Sequence, residues 1–396
     1  MDFSFDPRDE EFRQEVRAFL RDNLPPELVQ RAKRPYHQDK ADTRRWTSIL
    51  YKRGWSAPSW PKEFGGAGWS PMQQFIFDQE CFDAGAPILE TSGLKMIGPV
   101  IFTFGSAEQR VRFLEPWLRG ELSWGQGFSE PNAGSDLASL TTRAVRDGDE
   151  YVVNGRKIWT SAGHFADWFF LLVKTDPSER QRGISLLLVD AKAPGVTVRP
   201  IYDIGEGHNL NEVFFDDVRT SADNLVGEEG KGWTYAKFLL ERERAFSAEV
   251  PRNKTGLKRL KAIAAQRGVR NGTLLEDPAF AARVAQLEAD LLALEWATLR
   301  ALSSGGGSNL PFGSILKIRG TELQQKIGEL QLEALGDYGT YVYPEAEYAS
   351  GSGKSLPASD LAPGLLADFM YRRATTIYGG ANEIQRTLIA KNYLKL

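Results

Sequence analysis

The sequence predicts an α+β protein of several domains: a helical N-terminal domain, a central antiparallel β-barrel or sandwich, and a C-terminal four-helix bundle. The chain has 396 residues, which is more than one compact core usually holds. Apolar residues recur with a helical period in the first third and in the last part of the chain. Between these parts, short runs rich in β-branched and aromatic residues alternate with turn residues. We therefore expect domains at residues 1–120, 121–222 and 230–396.

The N-terminal domain is predicted to consist of helices. From Glu10 to Asn23, apolar residues recur every three or four positions, and Pro25 and Pro26 end the pattern. Further helices are predicted over 43–53, 71–84 and 109–120. The segment 54–66, rich in aromatic residues, Pro and Gly, is interpreted as a structural corner.

The remaining two domains differ in their apolar period. In the middle domain, the runs 168–173, 184–189, 196–198 and 213–215 indicate a sheet of seven or eight antiparallel strands. In the C-terminal domain, helices are predicted over 232–249, 278–302, 313–335 and 365–394, and the last is interrupted at Gly379 and Gly380. Four helices of this length predict a bundle.

Composition and charge exclude several classes of function. The net charge is −3, so no basic excess favours nucleic acid as a ligand. The single cysteine, Cys81, leaves no intrachain disulfide, and the three histidines lack the spacing of metal ligands. The N-terminus has no apolar segment typical of a signal peptide, and no run approaches the roughly 18 apolar residues of a membrane span. We therefore expect a cytoplasmic protein without a metal site that binds neither nucleic acid nor membrane.

The first candidate motif is the decapeptide Gly127–Asp136. Pro131 fixes φ, while Asn132 and Gly134 tolerate positive φ, so a tight loop is expected. Such a loop can direct backbone N–H groups and the hydroxyls of Ser129 and Ser135 at one acceptor-rich ligand. The alternative interpretation is an ordinary turn between strands.

The second candidate motif is the segment Val153–Gly163, about twenty residues further on. Its first part is interpreted as two strands joined by an Asn154–Gly155 hairpin turn. Trp159 would then close a strand beside the first loop, followed by two hydroxyl residues. One aromatic plane and several hydroxyls would suit a flat heterocycle, whereas Trp159 taken alone is interpreted as a core tryptophan.

Both motifs, in this order and at this spacing, resemble those of the acyl-CoA dehydrogenase family. The family patterns are Ser/Thr-Glu-Pro-x-Ala-Gly-Ser-Asp and Asn-Gly-x-Lys-x-Trp, and the resemblance continues to residues 377–386. Within the family, the chain looks most like the large subunit of pimeloyl-CoA dehydrogenase and the subunits of heteromeric steroid side-chain dehydrogenases. The resemblance implies FAD-dependent α,β-dehydrogenation of an acyl-CoA thioester. A proton goes to a glutamate, a hydride goes to flavin N5, and an electron-transfer flavoprotein takes the electrons.

The resemblance also implies roles for individual residues of the two motifs. The residues it assigns to the cofactor are Gln126, Phe128, Ser129, Gly134, Ser135, Trp159, Thr160 and Ser161. Phe128 and Ser129 are expected at the flavin edge, and Gly134 and Ser135 on the thioester and pyrophosphate side. Trp159 is expected beside the ring, with Thr160 and Ser161 near N5 and O4. Gln126 stands where the family often has an aromatic residue.

The catalytic base departs from the commonest pattern of the family. Many members carry it in a final-helix Tyr-Glu-Gly, which here reads Tyr378-Gly379-Gly380. Gly379 can still donate its backbone N–H to the thioester carbonyl. A minority branch carries the base on the first bundle helix, which here contains Glu241 and Glu243. Residues two apart on a helix lie about 200° apart, so only one of them can face the flavin. The Glu-Arg pattern favours Glu243, and a solvated charge cluster is the alternative.

The motifs by which family members hold a neighbouring subunit's FAD are changed in this chain. The Arg-x-x-Phe-Gly motif is absent from residues 266–273. The Gln-x-x-Gly-Gly motif corresponds to residues 333–337, where Glu333 replaces the glutamine and Asp337 replaces the last glycine. Thr-x-Gln of the last helix reads Ala381-Asn382-Glu383. The resemblance therefore implies a second acyl-CoA dehydrogenase subunit in an α2β2 assembly, with a homotetramer or homodimer as the alternative. Competing functions are a catalytically silent subunit, an acyl-CoA oxidase and a nitroalkane-type flavoenzyme.

Overall fold

The structure is a computed structural model that describes residues 6–32, 39–205, 207–244, 248–303, 310–343 and 361–396, without the side chains of 30–32, 240–244, 310 and 311. The chain forms two compact units. One contains the described residues of Met1–Gln38, Trp69–Pro87 and Arg244–Leu396, and the other contains Asp39–Gly68 and Ile88–Glu243.

Most helices lie where the apolar period predicts them, but those at Pro26–Ala32, Gly98–Phe104 and Val250–Gln266 were not predicted. The helices are α1 (Pro7–Asn23), α2 (Pro26–Ala32), α3 (Lys40–Arg53), α4 (Pro71–Ala84), α5 (Gly98–Phe104), α6 (Ala107–Leu118), α7 (Gly232–Arg244), α8 (Val250–Gln266), α9 (Pro278–Ser303), α10 (Leu310–Leu335), α11 (Leu365–Arg372) and α12 (Asn382–Ile389). Side chains fix several of their beginnings: Asp6 caps α1, and Ser70 and Ser106 form capping boxes with Gln73 and Gln109.

One helical boundary in the prediction is wrong. A single helix was expected over 232–249, but α7 ends at Arg244, and Glu249 adopts a left-handed φ of 45° before α8 begins. A residue in that region cannot continue a right-handed helix. Helix α8 was not predicted as an element. Its buried face carries Leu257, Leu260 and Ile263 at helical spacing, and this period is the signal that could have identified it.

The middle segment forms the predicted seven-stranded sheet. Its strands are β1 (Trp124–Gly127), β2 (Arg143–Asp147), β3 (Glu150–Lys157), β4 (Trp168–Lys174), β5 (Ile184–Asp190), β6 (Val196–Ile201) and β7 (Leu210–Ser221). The order is β1-β4-β2-β3-β7-β6, with β5 paired to β4. Neighbouring pairs are antiparallel as expected, except that β1 pairs in parallel with β4 over four residues and β2 meets β4 in parallel at one.

The predicted hairpin at Asn154 and Gly155 is wrong. Both residues lie inside β3, where the pairing with β7 shifts register between Val153 and Gly155. The Asn154 amide exchanges two hydrogen bonds with Asp217 across this irregularity, at 2.9 and 3.0 Å. These bonds hold the strand through a bulge that the Asn-Gly sequence alone does not distinguish from a turn. The chain reverses instead between β2 and β3 at Gly148, with φ 65°.

Both faces of the sheet are buried at β4. Phe170 and Leu172 pack into one apolar core with α5, α6 and α7, while Phe169 and Leu171 pack into a second core formed by the sheet itself. Alternate residues of a strand point to opposite faces, so a run without polar residues is required at this position. Strand β4, which pairs with β1, is therefore packed on both faces.

The C-terminal helices share a separate core. Leucines of α9 line one side of it at helical spacing, and α8, α10 and α11 provide most of the rest, together with Phe75 of α4 and Tyr343. The last predicted helix is interrupted as expected, because α11 ends at Arg372 and α12 begins at Asn382. None of the helices in the described part of the chain has both the length and the apolar character needed to cross a bilayer.

Candidate functional site

The first motif forms a tight turn directly after β1. Glu130 and Ala133 exchange backbone hydrogen bonds of 3.0 Å in both directions, with Pro131 and Asn132 exposed at the tip. The turn geometry is what Pro and Asn at these positions predict. The residues that follow, Gly134 and Ser135, are exposed.

A buried ion pair joins the two motifs. Lys157 Nζ lies 2.8 Å from Glu130 Oε1 and donates to the Phe128 carbonyl at 3.2 Å, and the two charged side chains are 0% and 4% exposed. The other acceptor positions of Glu130 take hydrogen bonds from the backbone N–H groups of Thr141 and Thr142 and from the Thr141 hydroxyl, at 2.7–2.9 Å. Both oxygens of the carboxylate thus have two donors each, one of them a backbone N–H group.

The titration of this pair is consistent with two charges at neutral pH. Burial alone would raise the pKa of Glu130, but the Lys157 ammonium and the hydrogen bonds from Thr142 and Thr141 lower it to about 2. Burial lowers the pKa of Lys157 to about 8, and Glu130 opposes that shift. The pair therefore remains ionised, and it fixes the start of the loop against the end of β3. Sequence reasoning quoted both residues as parts of motifs but missed this role.

The second motif lies beside the first, as predicted. Strand β3 ends at Lys157, and the next residue, Ile158, donates its backbone N–H to the Ser129 carbonyl at 2.9 Å. Trp159 then adopts φ 61°, the left-handed region that a tryptophan rarely enters. Its side chain is 55% exposed, so the interpretation as a core tryptophan is wrong. Such backbone outliers are often found at functional sites.

The structure brings most of the predicted cofactor residues to this place. Thr160 is 1% exposed, and its Oγ1 has no hydrogen-bond partner among the residues that the structure describes. Ser161 is exposed and Ser129 half-buried. Gln126 is half-buried in β1, and the Phe128 ring lies in the core at 5.6 Å from the Phe170 ring. Phe128 can therefore reach a ligand only through its backbone.

These residues fit a flat, acceptor-rich group such as a flavin. A buried hydroxyl without a partner is unusual and calls for a ligand or water. The exposed indole next to it presents an apolar plane, and an added Cβ at Gly134 would meet no atom within 4 Å. The site thus combines hydroxyl donors, one aromatic plane and accessible backbone. The hydroxyls belong to Thr160, Ser161 and Ser129, the plane to Trp159 and the accessible backbone to Gly134.

The predicted carbonyl-binding residue, Gly379, lies in a fixed turn of the other unit. Gly379 has φ 65° and Gly380 has φ 89°, conformations that favour glycine. The buried Gln385 amide donates to both carbonyls, at 3.3 and 3.2 Å, and accepts from the Ser314 hydroxyl at 2.7 Å. A glutamate at position 379 would have to adopt this left-handed conformation.

The candidate bases, Glu241 and Glu243, are in α7, and their side chains lie outside the described residues. A different carboxylate, Glu249, is described at the start of α8. Its Oε2 lies 2.7 Å from Arg252 Nε and accepts from Gln324 at 3.2 Å. Burial alone would raise the pKa of Glu249, but Arg252 and Arg372 lower it. The neighbouring guanidinium groups thus stabilise the charged form of the Glu249 carboxylate.

The changed motif at the end of α10 carries paired charges. Arg283 makes a bidentate contact with Glu333 at 2.5 and 2.7 Å. Arg267 donates to the carbonyls of Glu333 and Ala334 at 2.7 and 2.9 Å, which are among the last carbonyls of the helix. The negative charge of Glu333 is therefore partly neutralised within this chain.

Comparison with known proteins assigns all three parts of the chain. Models of the acyl-CoA dehydrogenase N-terminal, middle and C-terminal domains match residues 6–121, 125–218 and 230–394. The chain is 35% identical over 399 residues to acyl-CoA dehydrogenase IpdE1 of Mycobacterium tuberculosis, which covers 98% of this chain and 97% of that protein.

Two solved structures share the whole fold. A chain of the ChsE4-ChsE5 complex from Mycobacterium tuberculosis is similar with a TM-score of 0.86 and 32% identity, covering 100% of this chain and 99% of that chain. A chain of the Tcur3481-Tcur3483 steroid ACAD gives a TM-score of 0.87 and 30% identity, with the same coverage. The predicted fold and the predicted enzyme class are confirmed, as is the resemblance to heteromeric steroid dehydrogenases. The chain belongs to the acyl-CoA dehydrogenase family of oxidoreductases.

Proposed function

We propose that this protein catalyses the FAD-dependent α,β-dehydrogenation of an acyl-CoA thioester, with an electron-transfer flavoprotein as electron acceptor. The observation that carries the proposal is the pairing of the two motifs. The Glu130–Lys157 ion pair and the Ile158–Ser129 hydrogen bond place an exposed indole and an unpaired buried hydroxyl side by side. The family's cofactor is FAD, and these groups suit its ring.

The chain's residues have distinct tasks in this proposal. Trp159 would cover one side of the ring system, while Thr160, Ser161 and Ser129 would supply hydrogen bonds at its polar edge. Gly134 and Ser135 would hold the more distant, phosphate-bearing side. When bound, FAD accepts the hydride that leaves the β-carbon.

Proton removal is assigned to α7 by the resemblance to the minority branch of the family. Glu243 would take the α-proton, which leaves as H⁺ while the β-hydrogen leaves with its electron pair, so the thioester loses two hydrogens in total. The Gly379 N–H would donate to the thioester carbonyl as enolate charge develops. The left-handed turn at Gly379 favours this proposal because the turn presents backbone rather than a side chain.

We further propose that the active assembly is an α2β2 heterotetramer with two FAD molecules. The relatives named as the ChsE4-ChsE5 and Tcur3481-Tcur3483 proteins each combine two different chains. In this chain, the residues expected to hold a neighbour's FAD are changed, and Arg283 is already paired with Glu333. An anionic pyrophosphate would therefore find neither an unpaired cation at Arg283 nor the neutral residues of the family motif.

A second candidate is a catalytically silent subunit. It is favoured by Gly379, which stands where many relatives carry the catalytic glutamate. Both candidates can include a flavin, so the colour of the protein alone does not separate them. The separation depends on whether substrate reduces the flavin through a base on this chain.

The test is a single-turnover measurement on the chain co-expressed with its partner subunit. We expect yellow protein, and acyl-CoA substrates of graded length, including dicarboxylic and steroidal ones, should bleach the flavin absorbance. Glu243→Gln should keep the flavin but slow bleaching by about a hundredfold or more, the usual minimum for losing a positioned base. Glu241→Gln is the matched control and should remain close to wild type.

Three outcomes would count against parts of the proposal. Colourless protein, alone and with the partner, would exclude the flavoenzyme function. Normal bleaching in Glu243→Gln would remove Glu243 as the base and point to Glu241 or to the partner subunit, and normal bleaching in Glu241→Gln as well would support the silent-subunit function. A homotetramer of this chain alone with one FAD per subunit, measured by mass and flavin-to-protein ratio, would contradict the heteromeric assembly.

A further inference from the structure

The segment that follows β3 contains two strained residues. Trp159 has φ 61° and Ala162 has φ 51°, and each L-residue is unfavourable in the left-handed region. Such conformations persist only where the surroundings determine them. The hydrogen bond from Ile158 to Ser129 fixes the segment on one side, so a second anchor is required after Trp159.

That anchor is Asn211, near the start of β7. Asn211 is 0% exposed. Its backbone N–H donates to the Thr160 carbonyl at 3.1 Å and its carbonyl accepts from the Thr160 N–H at 3.0 Å. Its side-chain Nδ2 donates to the same Thr160 carbonyl at 3.1 Å. Thr160 is thus bound three times by one residue, directly after Trp159.

Two histidines fix the orientation of the Asn211 amide. His208 Nε2 lies 2.8 Å from Asn211 Oδ1, and His164 Nδ1 lies 3.1 Å from Asn211 Nδ2. The amide oxygen can only accept and the amide nitrogen can only donate. His208 therefore donates through Nε2, and His164 accepts at Nδ1. The two imidazole rings stack at 3.9 Å, which holds both against the amide.

We propose that Asn211, oriented by His164 and His208, is a positioning residue that holds Trp159 and Thr160 in the flavin-facing conformation before the cofactor binds. The inference rests on the proposed function. It adds that the tryptophan and the unpaired Thr160 hydroxyl are preorganised by a side chain outside both motifs. An amide is required because only an amide donates to the Thr160 carbonyl and to His164 while it accepts from His208.

The competing explanation is that Asn211 only fills space and stabilises the sheet. Asn211→Asp separates the two, because aspartate has the same shape but lacks the donor to Thr160 and His164. Asn211→Ala is compared with Asn154→Ala, which is the matched control. Asn154 lies in β3, pairs with β7 through Asp217, and belongs to the bulge rather than to the segment 158–163.

The experiment measures flavin-free and flavin-loaded protein, co-expressed with the partner subunit. In flavin-free protein, we expect the amides of 158–163 to exchange with solvent about tenfold faster in Asn211→Asp and Asn211→Ala than in wild type. In loaded protein, we expect the FAD dissociation constant to rise about tenfold and the flavin absorption band to shift. Asn154→Ala should match wild type in both measurements.

Unchanged exchange and an unchanged flavin spectrum in Asn211→Asp would overturn the inference. If wild type binds no FAD, the proposed function fails, while the exchange rates of flavin-free protein still test the anchor. Should Asn211→Asp not fold, His208→Phe keeps the ring stacked on His164 and removes only the donor to Asn211 Oδ1. It should then show faster exchange of 158–163, and wild-type exchange there would overturn the role of the histidines.

Discussion

The motif loop after β1 and the turn at Gly379 are both rigid, but different interactions hold them. The motif loop is tied by a buried ion pair whose acceptors are all used by backbone or hydroxyl donors. The Gly379 turn is tied by one neutral amide, Gln385, and by the left-handed freedom of glycine. The stability of a buried ion pair requires both charged side chains. The stability of a glycine turn requires a residue without a side chain at the left-handed position.

This difference predicts that substitutions in the two regions differ in their cost to stability. Removing either member of a buried pair leaves an uncompensated charge, which costs about 3–5 kcal/mol. A glycine turn can exchange its neighbours at low cost as long as the backbone keeps its conformation. Substitution of Glu130 or Lys157 is therefore expected to cost more stability than substitution of a residue beside Gly379.

The largest expected effect comes from breaking the ion pair. Lys157→Met leaves the Glu130 carboxylate buried without its cation, so the free energy of unfolding should fall by about 3–5 kcal/mol. Denaturant unfolding of the flavin-free protein measures the change. Loss of the Phe128 contact should also loosen the loop and reduce flavin retention.

An exposed pair in the same loop provides the control. Arg180 contacts Asp136 at 2.7 Å, but both side chains are more than half exposed. Arg180→Met should therefore cost no more than about 1 kcal/mol. Equal losses of stability in Lys157→Met and Arg180→Met would contradict the difference that we infer between the two pairs.

An effect of intermediate size on the free energy of unfolding is expected from Glu90. Its protonation makes this effect depend on pH, in contrast to the Glu130–Lys157 pair. Its oxygens accept from the Trp117 Nε1–H at 2.5 Å and from the Trp124 N–H at 2.6 Å, next to β1. Burial raises the pKa of Glu90 to about 7, although these hydrogen bonds and Arg44 oppose the shift and Asp167 adds to it. The neutral form is therefore favoured in the folded state, in contrast to Glu130.

The sign of the pH dependence follows from that shift. A folded-state pKa above the unfolded value gives stability that is complete below about pH 4.5 and is lost as pH rises through about 7. In wild type, this contribution should fall by about 2 kcal/mol between pH 5 and 8. Glu90→Gln cannot ionise, so its unfolding free energy should change less over this interval. Parallel pH curves for the two proteins would show that Glu90 does not titrate there.

Much of the fold could be predicted because its signals are local. Helices α1 and α9 have their apolar period in the sequence, and strands β4 and β5 are continuous apolar runs. The end of α7 and the start of α8 could not be placed. The start of α8 follows the left-handed residue Glu249, whose carboxylate accepts a hydrogen bond from the distant Gln324.

In the candidate site, too, local sequence signals could be predicted and tertiary contacts could not. The motifs predict which residues come together: Ser129 follows β1, Ile158 follows β3 of the same sheet, and the two residues are joined by a backbone hydrogen bond. The bulge at Asn154 was misread as a turn, since the partner that holds it, Asp217, is distant in sequence. Asn211 and the histidines carry no motif at all, and only the packing of β7 against the segment 158–163 identifies them. The role of Glu243 as the base stays a prediction, and so do the boundaries of the three domains.

The smallest expected effect comes from a pair of alanine substitutions, one in each region. Gly379 has φ 65°, so Gly379→Ala forces a Cβ into the left-handed region and should cost about 1 kcal/mol of unfolding free energy. Gly134 has open space around its Cα and no positive φ, so Gly134→Ala should leave stability unchanged within about 0.5 kcal/mol.

Flavin retention in the two variants should show the reverse order. A methyl at Gly134 would project where the cofactor is expected to approach the backbone, whereas Gly379 is expected to serve the thioester rather than the flavin. Thermal unfolding and the flavin-to-protein ratio after gel filtration measure both quantities on the same samples. Stability lost in Gly134→Ala with flavin fully retained would mean that the loop after β1 serves the fold alone.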